Sequence, residues 1–291
     1  MSMHLALIVL SVLQDPAPFT DEALVSEGQA IVDRAVKAAG GWKRWQKVKG
    51  LTFVRTVERR QARNLLTRTR TDVMLDPQGR GSIRYRHLVD PAAVTSDLMY
   101  QEFFDGVRGW NYQQRHHIHR AAAENARERI RRELFLSTLP FSLVGEDIQV
   151  EAVGTDVAPR AERVFVRLPR GIRMERSELV TDFEVTFHAR THAIRALRYL
   201  AEGNDVVSMT RGVLDEMHRI EFGRLVSAGP FRLPSKRTLR FDTVALASQH
   251  EILTDFKMGP LDERMFVFPG DEDGTEDKES PGREGEPGAS D

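Results

Sequence analysis

The chain has 291 residues, of which 41% are hydrophobic and 29% charged, and it contains no cysteine. That apolar share is ample for a real core and excludes global disorder. The missing cysteine excludes disulfide frameworks, zinc–thiolate and iron–sulfur sites, cysteine nucleophiles and cysteine-linked lipid anchors. The net charge of −1 is a cancellation: Gly270–Asp291 holds nine acids against two bases, a net of −7, which leaves +6 on the residues before it. Of the 42 basic residues 35 are arginine, which reads as a compositional bias rather than a binding signal in itself.

Leu5–Leu13 is an uncharged run. It is too short for a membrane-spanning helix, which needs about 20 residues, and matches the apolar stretch of an export signal. The residues before it hold no Lys or Arg, and no clean small-x-small cleavage site follows. Export is the expectation, with residues 1–19 as leader and the mature body periplasmic or secreted. The competing reading is a buried N-terminal strand or helix.

Thr20 then offers a helix N-cap, with Asp21 and Glu22 in the first turn where acids complement the helix dipole. Leu24, Ile31, Ala35 and Ala38 recur at helical spacing until Gly40-Gly41 ends the run, so a helix is predicted over 21–39. Strands follow at Leu51–Val57, Leu65–Leu75 and Ser82–His87, then a hairpin from Leu98 to Gln113 around Asp105-Gly106. Ala121–Thr138 reads as a second helix, which Pro140 ends. Strands resume at 148–153, 164–168, 183–187, 193–200, 213–222, 238–243 and 251–256. Phe183, Val185 and Phe187 alternate with polar residues, the pattern of a strand with one buried face. No repeat and no Pro/Ser-rich linker divides the body, so 20–269 reads as a single α+β domain in which one antiparallel sheet curls around its helices. The stretch 270–291 has no apolar residue except Ala289 and reads as a disordered acidic tail.

The sequence lacks GxGxxG after a strand, GxxxxGK[ST], HExxH and GxSxG, so the usual phosphate-loop, zinc-protease and serine-hydrolase chemistries have no signature here. His117 and His119 in Arg115-His-His-Ile-His-Arg120 share a strand face and are weak metal candidates, with His116 on the other face. Flanking arginines disfavour a dication, and the plainer reading is an exposed strand end. His188 and His192 flank a turn and offer a second pair. Arg55, Arg59, Arg60, Arg63, Arg68, Arg70, Arg84 and Arg86 make the first hairpins basic, yet nucleic-acid binding would want aromatic platforms between them. They read as solvated strand faces with some attraction to anionic head groups. Phe53, Ile83, Tyr85, Tyr100, Phe103, Trp110, Phe183, Val185, Phe187, Tyr199, Ile220 and Phe222 form the expected inward set. That set either fills a core or lines an apolar cavity in a curved, open-edged sheet.

Ala30–Trp42 followed by Trp45–Phe53 resembles the opening of the LolA/LolB-like lipoprotein-carrier superfamily and its outer-membrane lipoprotein-sorting relatives, where a helix ends near Gly-Gly and leads into a first strand. Phe104-Asp-Gly-Val-Arg-Gly-Trp110, Phe187–Tyr199 and Asp262-Glu-Arg-Met-Phe-Val-Phe-Pro269 resemble a hairpin, a strand–turn–strand and the ending of that superfamily. The resemblance implies an unclosed antiparallel β-barrel wrapped round helices, a cavity for acyl chains, no cofactor and no catalysis. It departs in having no lipobox cysteine, a longer body and the acidic tail. The reading is an exported monomeric carrier whose partners are lipid or acylated protein, with an anionic membrane surface as a further partner and nucleic acid excluded. The alternatives are an envelope protein-interaction or stress-sensing module on the same fold, and a His-based metal enzyme.

Overall fold

The computed structural model describes residues 21–61, 64–77, 79–88, 100–113, 116–117, 120–153, 161–174, 179–200, 217–240 and 247–267. The leader and the tail expected at the two ends lie outside the described residues. Helix α1 spans Glu22–Ala39 and is capped by Asp21, not Thr20: the Asp21 carboxylate accepts from the Ala23 and Leu24 amides at 2.9 and 3.3 Å. A carboxylate satisfies orphan amides as a hydroxyl does and adds a favourable charge at the positive helix end. Gly40 closes the helix at φ 130°, a region that disfavours side chains, and a Cβ there would lie 2.6 Å from the Phe231 ring. Trp42–Trp45 forms the short helix α2.

The strands are β1 (Leu51–Gln61), β2 (Asn64–Leu75), β3 (Gly81–Leu88), β4 (Tyr100–Phe104), β5 (Gly109–Gln113) and β6 (His116–His117). Helix α3 (Arg120–Thr138) follows. Then come β7 (Gln149–Ala152), β8 (Ala161–Arg173), β9 (Leu179–His188), β10 (Ile194–Leu200) and β11 (Met217–Phe222). A hairpin of β12 (Leu225–Ala228) and β13 (Phe231–Pro234) precedes β14 (Lys236–Arg240) and β15 (Ala247–Met258).

Thirteen strands form one sheet in the order β6-β5-β4-β3-β2-β1-β15-β14-β11-β10-β9-β8-β7, while β12 and β13 pair apart. Every pairing among the described strands is antiparallel, and the ends β6 and β7 do not meet, so the sheet is an unclosed barrel. Its centre is a seam where the first of the described strands pairs with the last, β1 with β15. Register shifts opposite Asp255 (φ 57°) and beside Gly171 (φ 53°) mark bulges, which sharpen the twist and curl the sheet.

The concave face wraps α1 and α3. Ile31, Val32, Ala35 and Val36 of α1 are buried towards β7, β8 and β13. Gly28 lets that helix lie close, since a Cβ there would be 2.8 Å from the Ala152 nitrogen. On α3, Phe135 meets Phe183 with ring centroids 5.4 Å apart. One end is sealed by aromatics: Trp45 stacks on Phe141 at 4.3 Å, and Phe231 stands edge-on to both. The α+β class, the antiparallel sheet and both long helices are as the sequence analysis expects.

Candidate functional site

Partners in a ladder share a sheet face, so the registers carry the concave face from strand to strand. From β7 to β11 that face is apolar apart from the buried His218, which pairs with Tyr199. Val150 pairs with Val166, Val166 with Phe183, Val185 with Leu197 and Leu197 with Ile220. Phe183, Val185 and Phe187 are wholly enclosed, and Ile220, Phe222 and Tyr199 nearly so. Six of the expected inward residues therefore come together on one wall.

The opposite wall, from β14 through the seam to β5, is a different environment. Phe53 and Ile83 lie on it with Val73 and Leu75, but charged groups occupy its middle. Arg55 of β1 is 6% exposed and forms an ion pair with Glu133 of α3, whose side chain is 1% exposed. Arg237 of β14, fully enclosed, donates to Glu133 at 2.7 Å and lies 2.7 Å from Glu251 of β15. Ser137 donates to Glu133 at 2.6 Å, and Gln249 to Glu251 at 2.8 Å. Burial raises the Glu133 carboxyl, but the Arg237 and Arg55 charges and the Ser137 bond outweigh it and hold the group well below the usual carboxylate range. Two arginines and two glutamates thus form a neutral quartet that ties α3 across β1, β15 and β14.

A second polar group lies between α3, β4 and β5. Glu102, fully enclosed, accepts from the Tyr85 hydroxyl at 2.8 Å and the Tyr100 hydroxyl at 3.0 Å, and it pairs with Arg129. Burial first, then the Glu102 charge, pushes both phenols up from their ordinary value. Tyr85 and Tyr100 are therefore concave-facing as expected, but they serve a buried carboxylate. Phe103 and Trp110 pair with each other on the opposite, outer face, stacked at 5.4 Å with Tyr112 edge-on to Phe103.

The expectation that the hairpin arginines lie on solvated faces fails at Arg55, which enters the interior because Leu51, Phe53 and Arg55 share one strand parity. Arg68 pairs with Glu58 and Arg84 bonds Gln101 on the outer face. Arg59 reaches Gln249. Arg63 and the side chains of Arg60 and Arg86 lie outside the described residues. His119 also lies outside them, as do the side chains of His116 and His117, whose backbone forms β6. His188 caps its own turn by accepting from the Arg190 and Thr191 amides at 3.2 Å, whereas His192 contacts Glu162 at 3.0 Å. Among the described residues no group of three or more His, Asp or Glu side chains is placed to hold a metal. None of their helices is long and apolar enough to cross a membrane.

Sequence reasoning missed Glu133, Arg237, Glu251, Glu102, Asn111 and Arg129. A parity signal existed: Arg237 stands at the apolar position of Lys-Arg-Thr-Leu-Arg, two residues from buried Leu239, and Arg129, Glu133 and Ser137 recur at i, i+4 and i+8 on α3.

No protein-family model matches the chain, and no curated protein matches it. Solved structures do. A LolA superfamily protein from Nitrosomonas europaea superposes with a TM-score of 0.53 at 9% identity, covering 83% of this chain and 97% of that one. A domain from Vibrio parahaemolyticus proposed to be an outer membrane lipoprotein-sorting protein gives 0.49 at 10% identity, covering 83% and 97%. A DUF1329 family protein from Desulfovibrio piger gives 0.47 at 9%, covering 82% and 97%. The chain has the LolA-like fold.

Proposed function

We propose that the chain is a non-catalytic carrier that takes the acyl chains of lipid or acylated protein into its half-barrel and works outside the cytoplasm. The observation that carries this reading is the largely apolar wall from β7 to β11 inside an open-edged sheet, faced by α1 and α3. An acyl chain laid along that wall gains about 0.8 kcal/mol for each buried CH₂, so affinity accrues without polar specificity. The outer face adds a ladder of like charges, Arg198 opposite Arg219 and Arg219 opposite Arg240. Two carboxylates sit among them: Glu184 lies 3.6 Å from Arg198, and Glu221 lies 3.2 and 3.1 Å from Arg219 and Arg240. Such a strip favours approach to anionic head groups.

Native extraction and mass spectrometry of the purified chain tests the reading, together with titration of a fluorescent acyl-chain reporter. Co-purifying lipid, or saturable reporter binding by the full chain, supports it. Neither lipid nor saturable binding in the full chain would sink it.

A further inference from the structure

The segment around α2 carries charge of one sign only. No Asp or Glu falls between Asp33 and Glu58, and four of the seven residues from Lys43 to Lys49 are cationic. Trp45 packs inward against Phe141 and Phe231, while Lys43, Arg44, Lys47 and Lys49 are exposed. Among the described residues no carboxylate forms an ion pair with any of the four. The arginine ladder on the outer face differs, because Glu184 and Glu221 sit within it. Like charges gathered on so short a segment repel one another, and a polyanion laid over them relieves that repulsion.

The chain carries such a polyanion, and it leaves the fold beside the cluster. Gly50, next to Lys49, accepts from the Gly259 amide at 3.1 Å, and a Cβ on Gly50 would lie 2.6 Å from the Leu261 side chain. Glu263–Phe266 then forms a short 3₁₀ helix, held by Arg80, which bonds Glu263 at 2.7 Å and lies 4.9 Å from the centre of the Phe266 ring. Arg80 closes the turn after Leu75, and Leu75 pairs with Leu51, so that turn and Lys49-Gly50 share one end of the sheet. Val267, the last residue described, lies one position beyond this anchor. Gly270–Asp291 begins three residues later with its net charge of −7. At about 3.3 Å per extended residue it can reach about 70 Å. Exposed ion pairs are individually weak, but a tether supplies an effective concentration of millimolar order. A cluster that held a free acidic peptide with a Kd of about 0.5 mM would then be about two-thirds filled by its own tail. We infer that the acidic tail Gly270–Asp291 docks within the same chain on the exposed cations Lys43, Arg44, Lys47 and Lys49. The inference goes beyond the carrier reading and does not depend on acyl-chain binding.

Zero-length carbodiimide coupling of the unmodified full chain, read by mass spectrometry, tests it. Six lysines precede the tail, and Lys236, exposed on β14, serves as the internal control. At about 0.1 M salt, where charges are felt over about 10 Å, tail carboxylates should couple to Lys43, Lys47 and Lys49 about fivefold more than to Lys236. At about 1 M salt, where the range is about 3 Å, that preference should vanish. In a mixture of isotope-labelled and unlabelled chains the links should stay within one chain. A full-length variant with each tail Asp changed to Asn and each Glu to Gln gives a second readout. In it Lys43, Lys47 and Lys49 should be acetylated about threefold faster than in the unmodified chain, as two-thirds occupancy requires, with Lys236 unchanged. Coupling spread evenly over the lysines, or links between chains, overturns the inference. Equal acetylation of the two chains also overturns it, and protection that appears only when phosphatidylglycerol vesicles are added assigns the cluster to an anionic membrane instead. The carrier reading stands or falls separately, by its own reporter titration.

Discussion

Glu133→Gln is the sharpest probe of the interior. The substitution keeps the side chain's shape but removes the negative charge that faces Arg55 and Arg237, leaving Glu251 as the remaining carboxylate of the quartet. Breaking a buried pair by removing one partner costs about 3–5 kcal/mol. The depression of the carboxyl by its two arginines points to a similar size: a shift from 4.5 to about 2 corresponds to about 3 kcal/mol at about 1.36 kcal/mol per pH unit. The sign follows from the depressed folded value. Glu133 stabilises the fold fully above the unfolded value of 4.5, and that stability drains away as pH falls towards about 2. Urea denaturation at a series of pH values should show the unmodified chain about 3 kcal/mol more stable than Glu133→Gln at pH 7. The gap should narrow steadily below pH 4.5. Replacing all four members together, as R55M/E133L/R237M/E251L, should recover most of the loss, because apolar packing can stand in for a buried ion network. A gap under about 1 kcal/mol at neutral pH, or one that ignores pH, would refute the assignment of Glu133 as the charged centre of the quartet.

Three further outcomes are expected. Phe183→Ala should cost about 3–5 kcal/mol in the same assay by opening a cavity beside Phe135, and a loss under about 1 kcal/mol would mean the apolar wall is loosely packed. Gly40→Ala should destabilise by about 2 kcal/mol or more, from the φ of 130° and the Phe231 ring 2.6 Å from the added Cβ; a neutral result would show that the helix end relaxes freely. Of the four tyrosines, Tyr85 and Tyr100 should ionise late in an ultraviolet titration, since both phenols are raised. Because the unfolded chain ionises first, stability should fall as pH rises past about 10. Four phenols titrating together at the free value would contradict the Glu102 cluster.

Much of the fold is legible in the residues because it rests on local rules. Alternation in Phe183–Phe187, the Gly40-Gly41 stop and the helical spacing of Ile31, Ala35 and Ala38 each fix an element without long-range information. The β12–β13 hairpin has a turn signal in Gly229-Pro230 yet goes unread, since its strands are only four residues each. The polar interior is less legible. Arg55 and Arg70 look alike in sequence, and only the neighbour they receive from a distant segment separates them: Arg55 meets a carboxylate 78 positions away, whereas Arg70 is exposed. The division of the apolar set has the same cause. Phe103 and Phe104 are adjacent and equally aromatic, and the pairing of Phe104 with Gly81 rather than composition decides which one faces inward.

The two walls together explain why a carrier interior would hold ions at all. Apolar contacts are strong but non-directional, so a helix held only by them can rotate or slide in an open barrel. The quartet supplies direction: Glu133 and Ser137 sit one turn apart on α3, while Arg55, Glu251 and Arg237 come from three adjacent strands around the seam. Ion pairs desolvated in this way add little net stability over a packed apolar core, but a wrong helix register strands their charges. The seam is also where the first and last of the described strands meet, the pairing among them with the largest separation in sequence and the greatest loop-closure cost. Fixing α3 on that seam leaves its other side, where Phe135 meets Phe183, held by apolar contact and by one hydrogen bond from Arg131 Nη2 to the Gly171 carbonyl at 3.4 Å. On the proposed carrier reading, an acyl chain would enter between α3 and β9, the side of α3 away from the quartet.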